Sequence, residues 1–378
     1  MHIECVREKE ALAGLAGAWS ELLVRSGQGN IFLSWEWLST WWEIFGGGKD
    51  CLFVLVAKEG EGVVGIAPLY LRRSGLFREV RFLGDGLACS DHMGFIAEPD
   101  RRDAVTRLFL DHLMKEAVRW DSLVLEGIPA DGTWRSALDE WAGENDLVFR
   151  ERDATRCFFI NLPDSFDLFL SGLGHSFVKE LRYKSRRLEK SHELRYVAYR
   201  GTDAEERFPV LVGLHQKRWK GKGYRGVGVF CSERFLEFHR RIARIFSERG
   251  WLEISFLRVD GNDVAAHYNF SFGRTIFHYM PAFDPAWAAH NVGRIILAES
   301  IRDAIARKMK EFDFLRGDEA YKLQWTALAR REVRLLVRRN TPSMNIVFGL
   351  SACAGALKGA FTSFVPEALK RAIRRGRM

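Results

Sequence analysis

The sequence predicts a mixed α/β (α+β) fold made of two tandem halves and a basic C-terminal extension. Three observations predict it: 378 residues exceed one average core, strand–turn–strand units recur about one domain length apart, and the positive charge collects at one end. The apolar fraction of 47% and the 12 tryptophans call for packed cores rather than disorder. Residues 330–378 carry 11 Lys/Arg against 2 Asp/Glu, a net +9 in a chain whose total is +8. The body before Arg330 is therefore near neutral, which disfavours a nucleic-acid partner. Six cysteines at 5, 51, 89, 157, 231 and 353 show no CxxC and fit reduced thiols in a cytoplasmic protein better than disulfides or zinc. The start, MHIECVREKE, lacks a secretory leader pattern.

In chain order, Glu8–Phe45 reads as helices, with Ser34 as an N-cap before the tryptophan-rich WEWLSTWW, whose indoles are expected in the core. Leu52–Ala57 and Val63–Tyr70 flank a Glu-Gly-Glu-Gly turn and predict a hairpin, continued by strand Arg78–Leu83. Gly84–Met93 is a loop, Arg101–Arg119 an amphipathic helix, Ser122–Glu126 a strand, Trp134–Glu144 a helix, and Leu147–Asn161 two short strands. The second half repeats this grammar. Helices Asp164–Leu173 and Ser176–His192 precede strand Leu194–Ala198 and helix Glu206–Lys220. A glycine-rich loop and helix Ser232–Arg249 follow. Strands Trp251–Val259, Val264–Phe272 and Thr275–Met280 come next, then helix Val292–Lys310 and strand Phe312–Leu315. VVGIAP and VAAHYN occupy equivalent places in the two halves. The boundaries drawn are 1–163, 164–328 and 329–378. Arg330–Arg339 can be a strand or a helix. Met344–Leu357 is too short and broken to span a bilayer, and Phe361–Arg377 is amphipathic enough for a membrane surface.

The ordered motifs NIFLSWEWLSTWWEIFG, LFVLVA, VVGIAPLYLRR, RFLG and SDH, then SFVKELRYKSRRLEK, AAHYNF, NVGRIILAESI and FDFLRGDEAYKLQW carry a resemblance. Over residues 15–328 the chain resembles the BioF2-like or CelD-like acetyltransferases, within the GNAT superfamily and related to two-domain FemAB-type transferases. The resemblance implies two tandem GNAT-like domains, each a mixed, mostly antiparallel sheet with flanking helices. It implies direct attack of an amine on an acyl-CoA thioester, in polysaccharide or cell-envelope metabolism. Two alternatives stand beside it: a FemAB-like transferase drawing on aminoacyl-tRNA, and a non-catalytic GNAT-fold binder at a membrane surface.

Direct transfer needs a donor anchor, a base and an acid. The donor loop implied is Asn291-Val292-Gly293-Arg294, where a glycine lets backbone N–H groups meet a pyrophosphate; Ile295 stands where the family has a second small residue. His267 in AAHYNF has the ordinary pKa of a general base, with a hydrogen-bonded core histidine as the competing reading. In the charged stretch after Phe314-Leu315, Asp318 is a candidate to orient or deprotonate the amine. Tyr321 is a candidate to protonate the leaving thiolate, and Arg316 and Lys322 to hold a phosphate or carboxylate. Asp91 and His92 follow a glycine-bearing loop and are candidate acceptor contacts; no third ligand accompanies them, so no metal is expected. Lys179, Arg182, Arg186 and Lys190 form one basic helical face that can meet solvent or an acyl-carrier protein. The expected acceptor is a small molecule or sugar, and the expected place is the cytoplasm, with the tail able to touch the inner membrane.

Overall fold

The computed structural model describes residues 1–75, 77–220 and 228–342. The first half begins with strand β1 (His2–Val6) and helices α1 (Lys9–Gly14), α2 (Ala16–Arg25) and α3 (Trp35–Phe45). Ser34 caps α3 as expected, its Oγ accepting the Trp37 N–H at 3.3 Å. The expected hairpin forms, but each arm is broken once. Its first arm is β2 (Cys51–Leu52) and β3 (Val54–Glu59), its second β4 (Gly62–Ala67) and β5 (Leu69–Ser74). Pro68 lies at the break of the second arm, where a residue without an N–H cannot extend the ladder. Next come β6 (Phe77–Phe82), β7 (Ile96–Ala97), α4 (Arg102–Lys115), β8 (Ser122–Pro129), α5 (Thr133–Glu144) and β9 (Leu147–Asn161).

The second half holds α6 (Phe166–Ser171), α7 (His175–Ser191), β10 (Leu194–Arg200), α8 (Thr202–Glu205), α9 (Phe208–Trp219) and α10 (Glu233–Glu248). It continues through β11 (Leu252–Val259), β12 (Asn262–Phe272), β13 (Thr275–Phe283), α11 (Val292–Ala306), β14 (Glu311–Arg316) and β15 (Ala329–Arg339). Strands β1, β3, β4 and β7 form a small sheet. The other eleven form one large sheet in the order β10-β11-β12-β13-β14-β9-β15-β8-β6-β5-β2. Within it only β13·β14 and β6·β8 are parallel. One α-helix lies between the strands of each parallel pair, α11 or α4, while VVGIAP begins in β4 of the small sheet and VAAHYN lies in β12 of the large one.

Two expectations change. Leu147–Asn161 is one long strand rather than two short ones, because β14 pairs with its end while β15 pairs along its length. The boundary at 328 is crossed as well: residues 329–339 are not part of an extension but strand β15, inserted between β9 and β8 at the centre of the sheet. Its Val333, Leu335 and Val337 are buried. The amphipathic stretch 361–377, the apolar 344–357 and most of the glycine-rich loop lie outside the described residues.

The tryptophans read as core are core where it matters most. Trp37 is fully buried and packs edge-on to Phe32, Phe238 and Phe270 at centroid distances of 5.0, 4.9 and 5.7 Å. Phe32 and Trp37 come from the first half and the other two rings from the second. Each such contact adds about 0.5–1.5 kcal/mol beyond the area it buries. The halves therefore share a core.

Candidate active site

Strands β13 and β14 run side by side only over Thr275–Phe277 and Glu311–Asp313, then part. The bend that carries β14 away has Leu315 at φ 57° and Gly317 at φ 123°. Asp313 Oδ1 accepts the Leu315 N–H at 2.7 Å and Asp91 Oδ2 accepts the Arg316 N–H at 2.9 Å, which holds the bend in place. Over the gap stands the N-terminus of α11. Its N-cap Asn291 sits at φ 57° and gives no side-chain cap, its amide reaching Glu180 at 3.4 Å instead. The first-turn N–H groups thus have no side-chain partner, an arrangement suited to an anion.

Beneath this helix end lies a cavity of about 240 Å³ walled by His267, His278, Val292, Gly293, Arg294 and Tyr321, among others. A second cavity of about 290 Å³ adjoins it, reaching Asp91, Trp219, Tyr279 and Arg316. Arg218, His278, Pro281 and Tyr321 belong to the walls of both. The structure therefore brings His267, Tyr321 and the segment 291–294 around one cavity.

His267 is both core and wall. It is 2% exposed, its Nδ1 is 2.9 Å from Ser300 Oγ, and burial, aided by Arg218, pushes its pKa down to about 3. His278 meets it edge-on at 4.4 Å and is held by Asn269 Oδ1 at 2.8 Å from its Nδ1; burial takes it well below the ordinary value too. Burial raises the Tyr321 phenol pKa, with Glu319 adding to the shift, so this group keeps its proton near neutral pH.

Of the remaining candidates, Asp91, Arg316 and Lys322 line the second cavity but are engaged by other groups. Asp318 is exposed and pairs with Arg156 at 2.9 Å, outside both cavity walls. Lys322 is 2% exposed, and its Nζ donates to the carbonyls of Leu315, Arg316 and Gly317 at 3.1, 2.9 and 3.2 Å. It serves the bend rather than standing free for a phosphate. Asp91 and Arg316 satisfy each other, and Arg316 also donates to the Ser90 carbonyl. His92 points to the other side, its Nε2 2.9 Å from Asp313 and its Nδ1 3.1 Å from Glu332. Arg330 adds a contact to Asp313 at 3.3 Å. Burial works against the charged ring of His92, but the two carboxylates overcome it and raise its pKa well above the ordinary value.

His92, Cys157 and Glu332 bring ligand-type atoms within 4.8 Å of one another. A metal would require a neutral ring and a thiolate. The two carboxylates raise the ring pKa and burial raises the thiol pKa, and the ring and carboxylates form an ion-pair network.

Sequence reasoning missed Arg218 and His278. The first is one cation in the run KRWKGKGYR, indistinguishable there from solvated neighbours. The second shares with His267 the signal of a histidine on an apolar strand, FHYM beside AAHY.

The buried neutral histidines make stability pH-dependent. His215, His239 and His267 have native pKa values of about 4, 3 and 3, all lowered first by burial, and burial takes His278 well below its ordinary value as well. Below about pH 6.5 the unfolded chain takes up protons that the native one refuses. Their contribution is thus complete above pH 6.5 and declines as pH falls toward 4, by about 1.4 kcal/mol per pH unit for each. His92, raised instead, contributes fully below about pH 6.5 and adds no slope there, while Asp91, raised by burial to about 6, offsets the fall of one histidine. Urea unfolding at pH 7.5, 6 and 5 should show a steep fall in midpoint; a flat profile would contradict the burial of these rings.

The cavity beneath an uncapped helix, between parting parallel strands, lies within the part of the chain that a family model matches. Residues 175–323 match the acetyltransferase (GNAT) domain, so the second half of the chain carries that domain. FemX shares the whole fold, with a TM-score of 0.63 at 10% identity, over 92% of this chain and 99% of that one. A conserved protein of unknown function from Bacteroides thetaiotaomicron gives 0.54 at 14% identity, over 89% and 100%. The C-terminal domain of a putative lysylphosphatidylglycerol synthetase from Agrobacterium fabrum gives 0.50 at 9%, over 90% and 96%. No curated protein matches the sequence. Among the described residues no helix is long and apolar enough to cross a membrane.

Proposed function

We propose that the protein transfers an acyl group from a coenzyme-A-type thioester to the amine of a small molecule. The observation that carries this reading is the donor-shaped cavity under α11, which continues into a second cavity past Arg218, His278, Pro281 and Tyr321. The pyrophosphate would lie against the N–H groups of Val292 and Gly293, with Arg294 beside it. The acyl carbon would sit at the junction. The amine nitrogen bonds to that carbon as the C–S bond breaks; the leaving thiolate takes the Tyr321 proton, and the phenolate left behind takes the proton that the new amide nitrogen sheds, which restores the phenol.

His267 has too low a pKa to draw a proton from an ammonium near neutral pH, and Asp318 stands outside the cavities. In this reading the amine enters as the free base, and His267 and His278 are neutral walls. The competing donor is an aminoacyl ester of tRNA, suggested by the likeness to FemX. The near-neutral charge before Arg330 weighs against it, since tRNA binding draws on many distributed cations.

The test is thiol release from acetyl-CoA over a panel of amines, with Tyr321→Phe alongside. The expected result is turnover that falls by about 10²-fold in Tyr321→Phe, the size of one acid–base contribution, with donor affinity unchanged. Equal turnover by both proteins would remove Tyr321 from the chemistry.

A further inference from the structure

Arg218 holds a charge that the described residues leave unanswered. It stands in the last turn of α9, where the two cavities meet. One of its nitrogens, Nη1, donates to the Pro281 carbonyl at 2.6 Å, and its guanidinium lies 4.8 Å from the centre of the Phe283 ring. Other arginines near the cavities are matched by acids: Arg316 by Asp91, Arg294 by Glu180, Arg330 by Glu311 and Asp313. Arg218 has no such partner among the described residues. The acids that act on it are Tyr321 and Glu319, and the Glu319 carboxylate is held by Lys322 at 2.9 Å. The intervening stretch 221–227, GKGYRGV, contains no acidic residue.

A guanidinium stays charged when buried, so its lost hydration is a standing cost unless an anion meets it. The surroundings carry the mark of that unbalanced charge. Arg218 adds to burial in depressing His215, His267 and His278, three imidazoles around the junction.

We infer that Arg218 is the recognition residue for a carboxylate on the acceptor, and that the acceptor is an amino-carboxylate with an apolar body. A carboxylate fits better than a phosphate because one cation matches one negative charge; a dianion would leave a charge buried without a partner. The guanidinium's free N–H groups suit the planar fork of a carboxylate. The apolar body follows from Trp219, Phe235, Tyr279 and Phe314 in the walls of the second cavity, whose charged residues pair with one another, Arg316 with Asp91 and Lys322 with Glu319. The inference rests on the proposed acyl transfer for the identity of the ligand as acceptor, whereas the anion site stands on its own geometry.

The experiment is equilibrium binding by calorimetry with no donor present, so that a failed donor reading leaves its outcome unaffected. The probes are apolar α-amino acids from valine to phenylalanine and the amines they give on decarboxylation. Each is titrated into the wild-type protein, Arg218→Gln and Arg218→Lys. The wild type should bind amino acids at least about tenfold more tightly than the matching amines, the value of one charge-assisted pair. Arg218→Gln should remove that difference while leaving amine binding unchanged, and Arg218→Lys should restore part of it. The inference is overturned if amines bind the wild type as well as amino acids do, or if no amino acid binds at millimolar concentration. An Arg218→Gln protein that acylates amino acids and plain amines with equally reduced turnover would also overturn it, by placing Arg218 on the reacting carbonyl instead.

Discussion

Replacing His92 with alanine should lower the unfolding free energy by about 3–5 kcal/mol, the usual consequence of removing one partner from a buried ion-pair network. The ring belongs to the loop after β6, while Asp313 and Glu332 belong to β14 and β15. Those two carboxylates are 1% and 0% exposed, so alanine leaves them without the cation between them. The effect should be complete below about pH 6.5 and shrink as pH rises from there toward the raised native value. A group whose native pKa is raised contributes fully below its unfolded value and loses that contribution only as pH rises through the native one. The next residue along, Asp91, pairs with Arg316 of β14, so one dipeptide of the first half grips the second at two points. Denaturant unfolding should therefore remain a single transition in the wild type, with its midpoint sharply lowered in His92→Ala. A loss under about 1 kcal/mol would mean that the pairs are solvated rather than buried.

Gly293→Glu should weaken the binding of any CoA thioester by at least about hundredfold, and it should do so without harming the fold. A Cβ at this position meets only Phe283 Cδ1 at 3.9 Å, an ordinary contact. A carboxylate in the first turn of α11 also suits the positive end of the helix, by about 0.3–1 kcal/mol. The same carboxylate stands where the donor's pyrophosphate would need those N–H groups. Gly293→Ala separates bulk from charge and should retain most of the affinity. Thermal denaturation with and without acetyl-CoA checks both points: the variant should unfold at the wild-type temperature and show no ligand-induced rise. A wild-type rise retained by Gly293→Glu would move the donor elsewhere.

Local pattern made much of this protein legible before any coordinates. The hairpin VAAHYN beside its partner, the Ser34 cap and the glycine just inside α11 depend on residues close in sequence. Their spacing carries the structure with it. His267, Tyr321 and 291–294 line one cavity, but their grouping is an expectation of the resemblance and not of local spacing. What escaped was decided by distant partners. Asp91 and Arg316 are 225 positions apart, and nothing in either segment says that the two charges cancel each other. His92 looked free for the same reason, its partners lying on β14 and β15. Lys322 read as a phosphate ligand because a bunch of charges after a strand looks alike whether it faces solvent or turns inward to cap carbonyl oxygens. Residues 329–339 read as the start of a tail because their arginines dominate. Alternation of Val333, Leu335 and Val337 against the arginines is the strand signal that lay beneath. Arg218 shows the converse failure: that it lacks an acidic partner among the described residues cannot be read from its neighbours in sequence.

The central claim is that the space between β13 and β14, under α11, receives the pantetheine-bearing donor. Isothermal titration of the wild-type protein with acetyl-CoA, a long-chain acyl-CoA and free CoA tests it most directly. One site per chain is expected for acetyl-CoA, with free CoA competing for it. If no CoA species binds, while an acyl-carrier protein or aminoacyl-tRNA does, the donor assignment is wrong and the cavity serves another ester.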